Sequence, residues 1–256
     1  MRQTKPGGML IRTLAVGYAS GTVLDHHTHD WAQLVYATDG VMTVESEQGT
    51  WVVPSYRAVW IPARIAHSIA MSGRVSMRTL YIEPGLVRAL PVRCCVVAVS
   101  PLLRELILHV IARSPLRREV AEHRRLADFL VDQLRELPAV PLELPVPRDE
   151  RALRLAQRLR EEPGETAPVD RLARSAGASR RTLERLFRKE TGMSLGRWRQ
   201  QARLLQAMRL LARGEPVTSI ALQVGYDSPS AFIATFKSLL GTTPGRYYRA
   251  HAQRSR

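Results

Sequence analysis

The stretch HHTHDWAQ, residues 26–33, places three histidines within four positions. His27 and His29 are two residues apart, so on a β-strand their side chains would point to the same face. Imidazoles arranged in this way can share a metal ion, whereas His26 would point to the opposite face. The pattern leaves three interpretations open: a catalytic metal site, a sensor for a metal or small molecule, and a polar patch in a barrel.

The elements around these histidines are predicted to be short strands. Up to about residue 83, apolar and polar residues alternate in short runs between turn signals, which is typical of a small sandwich or barrel. The runs WAQLVYA and VMTVE flank Thr38-Asp39-Gly40, where Asp-Gly predicts a hairpin. After Ser100 the apolar spacing changes to three or four, which predicts helices from Pro101 and over about 116–136. These helices either pack on their own barrel or form a dimer interface.

The length of 256 residues suits two domains, and their charges differ. Residues 1–147 carry a net charge of +3 and residues 148–256 a net charge of +12. The C-terminal part is therefore the one suited to meet phosphates. The proline-rich stretch LPAVPLELPVP, residues 137–147, is predicted to be a semi-rigid linker between domains 1–136 and 148–256.

The cysteines and the hydropathy indicate the compartment. Cys94 and Cys95, the only two cysteines, are adjacent, which argues against a disulfide framework and for a reducing compartment. Two small apolar residues on a buried strand explain them better than a dithiol sensor. The sequence has no run of about 18 apolar residues, so it predicts no membrane span and a cytoplasmic protein.

The C-terminal part contains two similar stretches, which begin at Leu172 and Ile220. Each has a short helix, a glycine, a serine cap and an amphipathic helix that ends at a further glycine. This is the pattern of a helix-turn-helix, whose second helix can enter a DNA major groove. Helices are predicted at about 169–176, 180–191, 195–213, 217–224, 229–240 and 244–250, after a first one that ends near Pro163-Gly164.

These stretches resemble the AraC/XylS family of transcription regulators. IALQVGYDSPSAFIATFKSLLGTTPGRYYR is similar to the family's second-motif signature, and RLLQAMRLLARGEPVTSIA to its joining helix. The resemblance implies two helix-turn-helix units on a joining helix from Ser194 to Arg213, which would hold them roughly 34 Å apart. The partners it implies are promoter DNA, an effector and, for an activator, RNA polymerase.

The resemblance places the base-contacting positions of the first recognition helix on Arg181, Glu184 and Arg185. Arginine can bond O6 and N7 of guanine, and glutamate can accept from the cytosine amino group. Three further outward residues suit phosphate contacts instead: Arg180, Arg188 and Lys189.

The second recognition helix differs. Its corresponding positions hold Pro229, Ser230, Ala231 and Ala234, so Ser230 alone offers a polar side chain to bases. Thr235 and Lys237 are better placed for phosphate. This unit is therefore predicted to position the protein on the DNA backbone, with weak base contacts.

The N-terminal domain of such regulators is often a cupin barrel that senses an effector, and residues 10–83 resemble one. The first cupin motif, His-x-His followed after three residues by an acid, corresponds to His27, His29 and Gln33. The second, Pro-x-Gly-x-x-His, corresponds to PARIAH, residues 62–67. The resemblance implies that four side chains converge in the barrel: His27, His29, Gln33 and His67.

Two departures argue against a catalytic centre. Gln33 replaces the acid and leaves a divalent ion less compensated, and Arg64 replaces the glycine in the turn that leads to His67. Three imidazoles still suit nickel, zinc or copper. A metal or metal-assisted effector site, a metal-free effector pocket and a packed barrel without ligand all stay open.

The sequence thus predicts an α+β chain of two domains, a cupin-like β-barrel with trailing helices and an all-α double helix-turn-helix domain. The function it indicates is sequence-specific regulation of transcription with effector sensing. The alternatives are a cupin metalloenzyme, such as a dioxygenase, with a helical tail, and a non-specific DNA-binding protein. The paired motifs and the basic C-terminal half argue against the enzyme.

Overall fold

The computed structural model describes residues 8–55, 57–135, 139–140 and 142–247. Backbone contacts divide the chain into two compact units, called here the N-terminal unit (Met1–Ser46 and Val53–Pro141) and the C-terminal unit (Glu47–Val52 and Leu142–Arg256). The N-terminal unit is mostly sheet and the C-terminal unit mostly helix, as the α+β prediction requires. None of the described helices is long and apolar enough to span a membrane.

The N-terminal unit is built on antiparallel strands, most of whose side chains are buried in β3, β5 and β6. They pair in the order β8-β1-β6-β3-β5-β7-β9, and β2 also pairs with β6. In β6 alternate residues such as His67, Ile69 and Met71 are buried, so His67 shares the face of the apolar core. The strands are β1 (Met9–Tyr18), β2 (Val23–His27), β3 (Ala32–Ser46), β5 (Arg57–Ile61), β6 (His67–Ile82), β7 (Cys95–Ala98), β8 (Leu116–Arg117) and β9 (Ala139–Val140).

The hairpin predicted at Thr38-Asp39-Gly40 is wrong, because β3 continues through these residues. Its register against β6 shifts between Ala37 and Asp39 and again between Asp39 and Val41. Gly40 has a φ of 79°, and a Cβ there would lie 2.3 Å from the carbonyl oxygen of Arg74. A glycine with positive φ that lies close to the neighbouring strand is typical of a β-bulge. Asp-Gly therefore bends one strand here instead of reversing the chain.

Two helices follow the sheet, α1 (Pro101–Arg113) and α2 (Ala121–Arg135). The predicted helix start near residue 116 is wrong, because Leu116 is buried in β8 and pairs with β1. One apolar side of each helix joins the core of the sheet, whereas Leu102 of α1 and Phe129 of α2 are exposed. Packing on their own sheet therefore accounts for most apolar residues of these helices.

The cysteines lie where the sheet meets this core. Cys94 is buried, Cys95 begins β7, and neither forms a disulfide. Burial raises the pKa of the Cys94 thiol to about 12, so this thiol stays protonated and packs as a small apolar residue.

The stretch predicted to be a linker contains two short strands, so it is not an unpaired spacer. β9 pairs with β7 in the N-terminal unit. β10 (Glu143–Pro145) pairs with β4 (Gly49–Pro54), placing Glu143 opposite Trp51. Backbone N–H and C=O groups of this stretch form hydrogen bonds in these two strand pairs. A proline-rich composition does not reveal this pairing. Residues 137–138 and 141 of the stretch lie outside the described residues.

The helices of the C-terminal unit begin and end within one or two residues of their predicted bounds. Ser179, Ser194 and Ser228 each accept a backbone N–H at a helix start, as N-cap serines do. The helices are α3 (Glu150–Glu161), α4 (Val169–Ser175), α5 (Arg180–Thr191), α6 (Leu195–Ala212), α7 (Val217–Gln223) and α8 (Pro229–Leu240). Residues 244–247 are helical, and the rest of the predicted helix 244–250 lies outside the described residues.

Candidate functional site

The first helix-turn-helix consists of α4, a turn at Gly177 and the recognition helix α5. Gly177 has a φ of 73°, which suits glycine in a tight turn. The Ser179 hydroxyl accepts the Thr182 N–H at 3.1 Å. Leu183, Leu186 and Phe187 are buried, so the opposite side of α5 faces outward.

That outward side of α5 is strongly cationic. Arg181 and Arg185, predicted to contact bases, are exposed, and so are three residues predicted to contact the DNA backbone: Arg180, Arg188 and Lys189. Arg180 lies 3.8 Å from the Asp170 carboxylate in a surface ion pair, which contributes little to stability. The described geometry leaves these cations available to an anionic partner.

Glu184 has a structural contact that the sequence did not reveal. Its side chain is partly buried, and its Oε2 accepts the backbone N–H of Leu195 at 3.3 Å. Leu195 is the first residue of α6, so the carboxylate satisfies one of the unpaired N–H groups of that helix start. Glu184 therefore fastens the recognition helix to the joining helix.

The second helix-turn-helix consists of α7, a turn at Gly225 and the recognition helix α8. Phe232 and Phe236 are buried, and the Ser228 hydroxyl accepts the Ala231 N–H at 3.2 Å. The outward positions Ser230, Ala231, Ala234 and Lys237 are exposed, as predicted from facing.

Thr235 is partly buried and bonds the Tyr226 hydroxyl. Burial raises the pKa of Tyr226, and the Thr235 bond opposes this shift. The Thr235 hydroxyl, predicted to contact phosphate, is thus already engaged within the unit.

Two arginines of α6 bond the loop before α4, and one of them also reaches the second helix-turn-helix unit; the sequence did not indicate either contact. Arg203 donates from Nε to the Pro163 carbonyl at 3.0 Å and from Nη2 to the Glu165 carbonyl at 2.9 Å. Arg199 also donates to the Glu165 carbonyl. The Arg203 guanidinium lies 5.7 Å from the centroid of the Tyr226 ring. One side chain therefore contacts the loop before α4 and the turn before α8.

The backbones of those two segments also touch. A Cβ at Gly164 would lie 2.5 Å from the Gln223 carbonyl oxygen, and one at Gly225 would lie 2.9 Å from the Gly164 carbonyl oxygen. Only glycine permits such an approach. Together with Arg203, this contact sets how the two recognition helices are held.

In the N-terminal unit, the structure brings His27, His29 and His67 together. Their ligand atoms lie within 4.8 Å of one another, and their ring centroids are 4.4 to 5.5 Å apart. His27 ends β2 and pairs with His67 at the start of β6, whereas His29 lies beyond the end of the strand. His26 is exposed, as predicted.

The hydrogen bonds of two histidines show which ring nitrogen is available. Nδ1 of His27 lies 2.6 Å from the Asp25 carbonyl oxygen, and Nδ1 of His67 lies 2.9 Å from that of Ile65. A carbonyl only accepts, so both Nδ1 atoms carry the proton and both Nε2 atoms keep a lone pair. Nε2 of His67, like that of His29, is buried and has no hydrogen-bond partner in the described part of the chain.

The electrostatics of the cluster favour neutral imidazoles. Burial, with smaller contributions from the positive charges of His27, His67 and Arg12, lowers the pKa of His29 to about 4. Burial also lowers the pKa of His67, against the opposing effect of its bond to Ile65. Neutral imidazole is the form that binds metal ions.

Gln33 is buried next to this cluster. Its Nε2 donates to the Thr79 hydroxyl at 3.1 Å, while its Oε1 is buried without a hydrogen-bond partner in the described region. Gln33 is opposite Tyr81 in the β3–β6 ladder, and the Tyr81 ring centroid lies 4.8 Å from that of His29. Tyr81, which the sequence did not single out, thus contacts both Gln33 and the His29 imidazole.

Arg64 keeps the backbone conformation of the glycine it replaces. Its φ is 66°, the one positive φ of a non-glycine residue in the described ranges. Its N–H donates to the His29 carbonyl at 2.7 Å, and its side chain lies 3.6 Å from the Asp30 carboxylate. The turn that leads to His67 is therefore bonded to the segment that carries His29.

Comparison with known proteins places the chain in a family. A helix-turn-helix domain model matches residues 172–250. The HTH-type transcriptional regulator NimR of Escherichia coli is 39% identical over 221 residues, which cover 86% of this chain and 81% of that protein. RipA of Corynebacterium glutamicum, also an HTH-type transcriptional regulator, is 35% identical over 111 residues, which cover 43% of this chain and 32% of that protein.

A solved structure of the AdpA DNA-binding domain in complex with a target DNA is 34% identical. The match covers 41% of this chain and 96% of the AdpA domain, with a TM-score of 0.40. The likeness to NimR is long enough to include both units, and these relatives are transcriptional regulators rather than enzymes. The chain belongs to the AraC/XylS family and is a DNA-binding regulator of transcription.

Proposed function

We propose that the two helix-turn-helix units bind promoter DNA unequally, with α5 supplying most of the base contacts. The observation that carries this proposal is the contrast between five exposed cations on α5 and the small outward side chains of α8. Bidentate arginines discriminate between bases, whereas isolated cations on phosphates mainly supply affinity. As a regulator of promoters, the protein would work in the cytoplasm.

The contacts divide into two sets. The base contacts fall on Arg181, Glu184, Arg185 and Ser230, with Glu184 using the carboxylate oxygen that does not bond Leu195. The backbone contacts fall on Arg180, Arg188, Lys189, Thr235 and Lys237, although the bond to Tyr226 makes Thr235 the weakest of these.

A randomised operator library, selected with the full chain, tests this division. Arg185→Ala should remove the preference at one base position, whereas Arg188→Ala on the same helix should weaken all sequences alike. An equal loss on every sequence with Arg185→Ala would contradict the base-contact assignment.

The N-terminal unit is proposed to be a cupin-like sensor whose input site is the three-histidine cluster. His27, His29 and His67 would hold a divalent transition metal such as nickel, zinc or copper. Buried Nε2 atoms without partners and Nδ1 protons held by carbonyls suit that ion. The metal would supply a Lewis-acidic centre for an effector. A metal-free effector that donates hydrogen bonds is the second candidate, because it would meet the same acceptors.

Metal content after dialysis against each of the three ions tests the input site. His29→Ala should lose the ion, whereas His26→Ala, which removes an exposed neighbouring imidazole, should keep it. Operator binding with and without the ion then shows whether filling the site changes DNA affinity. Equal metal retention by both variants would remove the cluster as the metal site.

The exposed side of α1 and α2 is proposed to pair two copies of the chain. Leu102 is 54% exposed and Phe129 is 43% exposed, and burial of these apolar side chains between two copies would favour association. Phe129→Glu should shift a dimer to monomer in sedimentation, while Arg125→Glu on the same helix should not. For an activator, RNA polymerase would be a further partner.

A further inference from the structure

Arg12 of β1 lies near the histidine cluster, and the described part of the chain pairs no acid with its charge. Its guanidinium carbon lies 5.2 Å from the centroid of the Trp31 ring and 4.9 Å from that of Tyr81. Its Nε is buried without a hydrogen-bond partner, and no ion pair joins it to an acid in the described ranges. Because Tyr81 also contacts His29, the guanidinium and one imidazole of the cluster share the same aromatic neighbour.

The charge of Arg12 reaches the cluster. The guanidinium and the His29 imidazole both lie against the Tyr81 ring, and charges interact strongly over such a short separation in a partly buried site. A divalent ion on three neutral imidazoles would add two further positive charges, and Gln33 compensates none of them. Buried charges of one sign without a counter-charge are costly. The proposed metal site therefore lacks an anion.

A cleft of about 700 Å³ lies next to these groups and is rich in arginine. Its lining includes Trp31, which contacts Arg12, and Arg64, which bonds the His29 carbonyl. Asp30 and Glu83 also line it, but each lies within 3.6 Å of an arginine, Arg64 and Arg118 respectively. Arg88 is exposed on the same cleft. The surplus of cations would favour the approach of an anion.

We propose that the effector is a small carboxylate. Its carboxylate group would bind the metal of the three-histidine site and pair with the Arg12 guanidinium. This inference rests on the metal site proposed above. The free Nε2 atoms of His27 and His67 offer lone pairs, so without the metal these two imidazoles would repel a carboxylate. Arg12 offers donors and no lone pair, so it would repel the metal. A metal-bound carboxylate meets both demands at once.

Calorimetry on the nickel-loaded full chain tests the proposal with butyrate and its uncharged analogue butyramide. Butyrate should bind the loaded protein, whereas butyramide, and butyrate on the metal-free protein, should bind at least about tenfold more weakly, as loss of a charged hydrogen bond predicts. Arg12→Gln should weaken butyrate binding about tenfold by the same reasoning. Arg93→Gln, which removes an exposed arginine of the N-terminal unit, should leave it unchanged.

The affinity for nickel alone provides an independent readout. In the absence of carboxylate, Arg12→Gln should bind nickel more tightly, because a repelling charge has been removed. If Arg12 had a merely structural role, its replacement would lower the affinity for nickel as well as that for butyrate. A higher affinity for nickel together with a lower affinity for butyrate therefore identifies the electrostatic role. Arg12→Lys keeps the charge and should retain more butyrate affinity than Arg12→Gln.

The outcomes separate the inference from the proposed function. The carboxylate inference fails, and the metal site stands, if the nickel-loaded protein has the same affinity for butyrate as for butyramide. The same conclusion follows if Arg12→Gln does not change the affinity for butyrate. If the wild-type chain retains no nickel, zinc or copper, both fail.

Discussion

The two recognition helices, α5 and α8, share a scaffold and differ in the surface they present. Each has 12 residues, a serine at its start and a glycine in the left-handed conformation at its end. Phe187 and Phe236 are buried at the corresponding core positions. The outward residues are mostly arginine in α5 and small in α8. Capping and core packing therefore determine the bounds of both helices. The outward residues can differ without changing those bounds, so one helix can contribute mainly specificity for DNA and the other mainly affinity.

The largest effect is expected at the residue that links the two units. Arg203→Met would leave the Pro163 carbonyl without its donor and the Glu165 carbonyl with Arg199 alone, and the loss of these partly buried hydrogen bonds should cost about 1 kcal/mol of folding free energy. Binding to a complete operator should fall at least about tenfold, because two linked contacts become independent. Binding to a half-operator that contacts α5 alone should be retained.

Denaturant unfolding and binding to both DNA lengths measure these two effects. Arg213→Met, which replaces an exposed arginine just after the same helix, is the matched control. Equal losses on whole and half operators with Arg203→Met would show that the two helices do not depend on this link.

The next effect tests the asymmetry between the helices. Arg185→Ala on α5 should cost about 1–3 kcal/mol of discrimination at one base pair. Ser230→Ala on α8 should cost less than this, because a lone hydroxyl forms no bidentate contact. Competition binding with single-base operator variants measures both. A larger loss with Ser230→Ala would reverse the proposed division of labour.

The shared scaffold itself predicts equal effects in both helices. Ser179→Ala and Ser228→Ala each remove a side-chain acceptor for a backbone N–H, and each should lower the free energy of unfolding by about 1 kcal/mol. Denaturant titration of the full chain measures the two losses. Strongly unequal values would mean that the helices are less alike than their caps indicate.

The smallest effect concerns salt dependence. Lys237→Ala on α8 should weaken all operators by a similar small factor and reduce the salt slope of binding by about 1. Thr235→Val should change stability more than the slope, since its hydroxyl bonds Tyr226. A change in sequence preference with Lys237→Ala would contradict a backbone contact.

The helices of the C-terminal unit could be predicted from the sequence because local signals decide their ends. Ser179, Ser228 and the glycines that follow each helix act within one turn. The prediction failed at Asp39-Gly40, because Asp-Gly can form either a hairpin turn or a β-bulge. The close approach of β6 selects the bulge here. It also failed near Leu116, where pairing with β1 overrides a helical spacing.

The histidine cluster could be anticipated from motif spacing, but its electrostatics could not. The sequence gives no sign that Arg12, distant in the chain from His67, lies within reach of the same imidazoles. Arg199 and Arg203 were missed for a related reason. An arginine on a basic helix suggests solvent exposure, and only the fold shows that these two donate to backbone carbonyls before α4.

The left-handed backbone of Arg64 sets stability against the proposed attraction of an anionic effector at one position. A side chain in this conformation costs about 1–2 kcal/mol, and Arg64→Gly would remove that cost together with one cation of the cleft. Laboratory evolution under heat alone should therefore favour glycine at this position, as stabilising changes often sacrifice function. Evolution that also demands a response to the effector should keep the arginine.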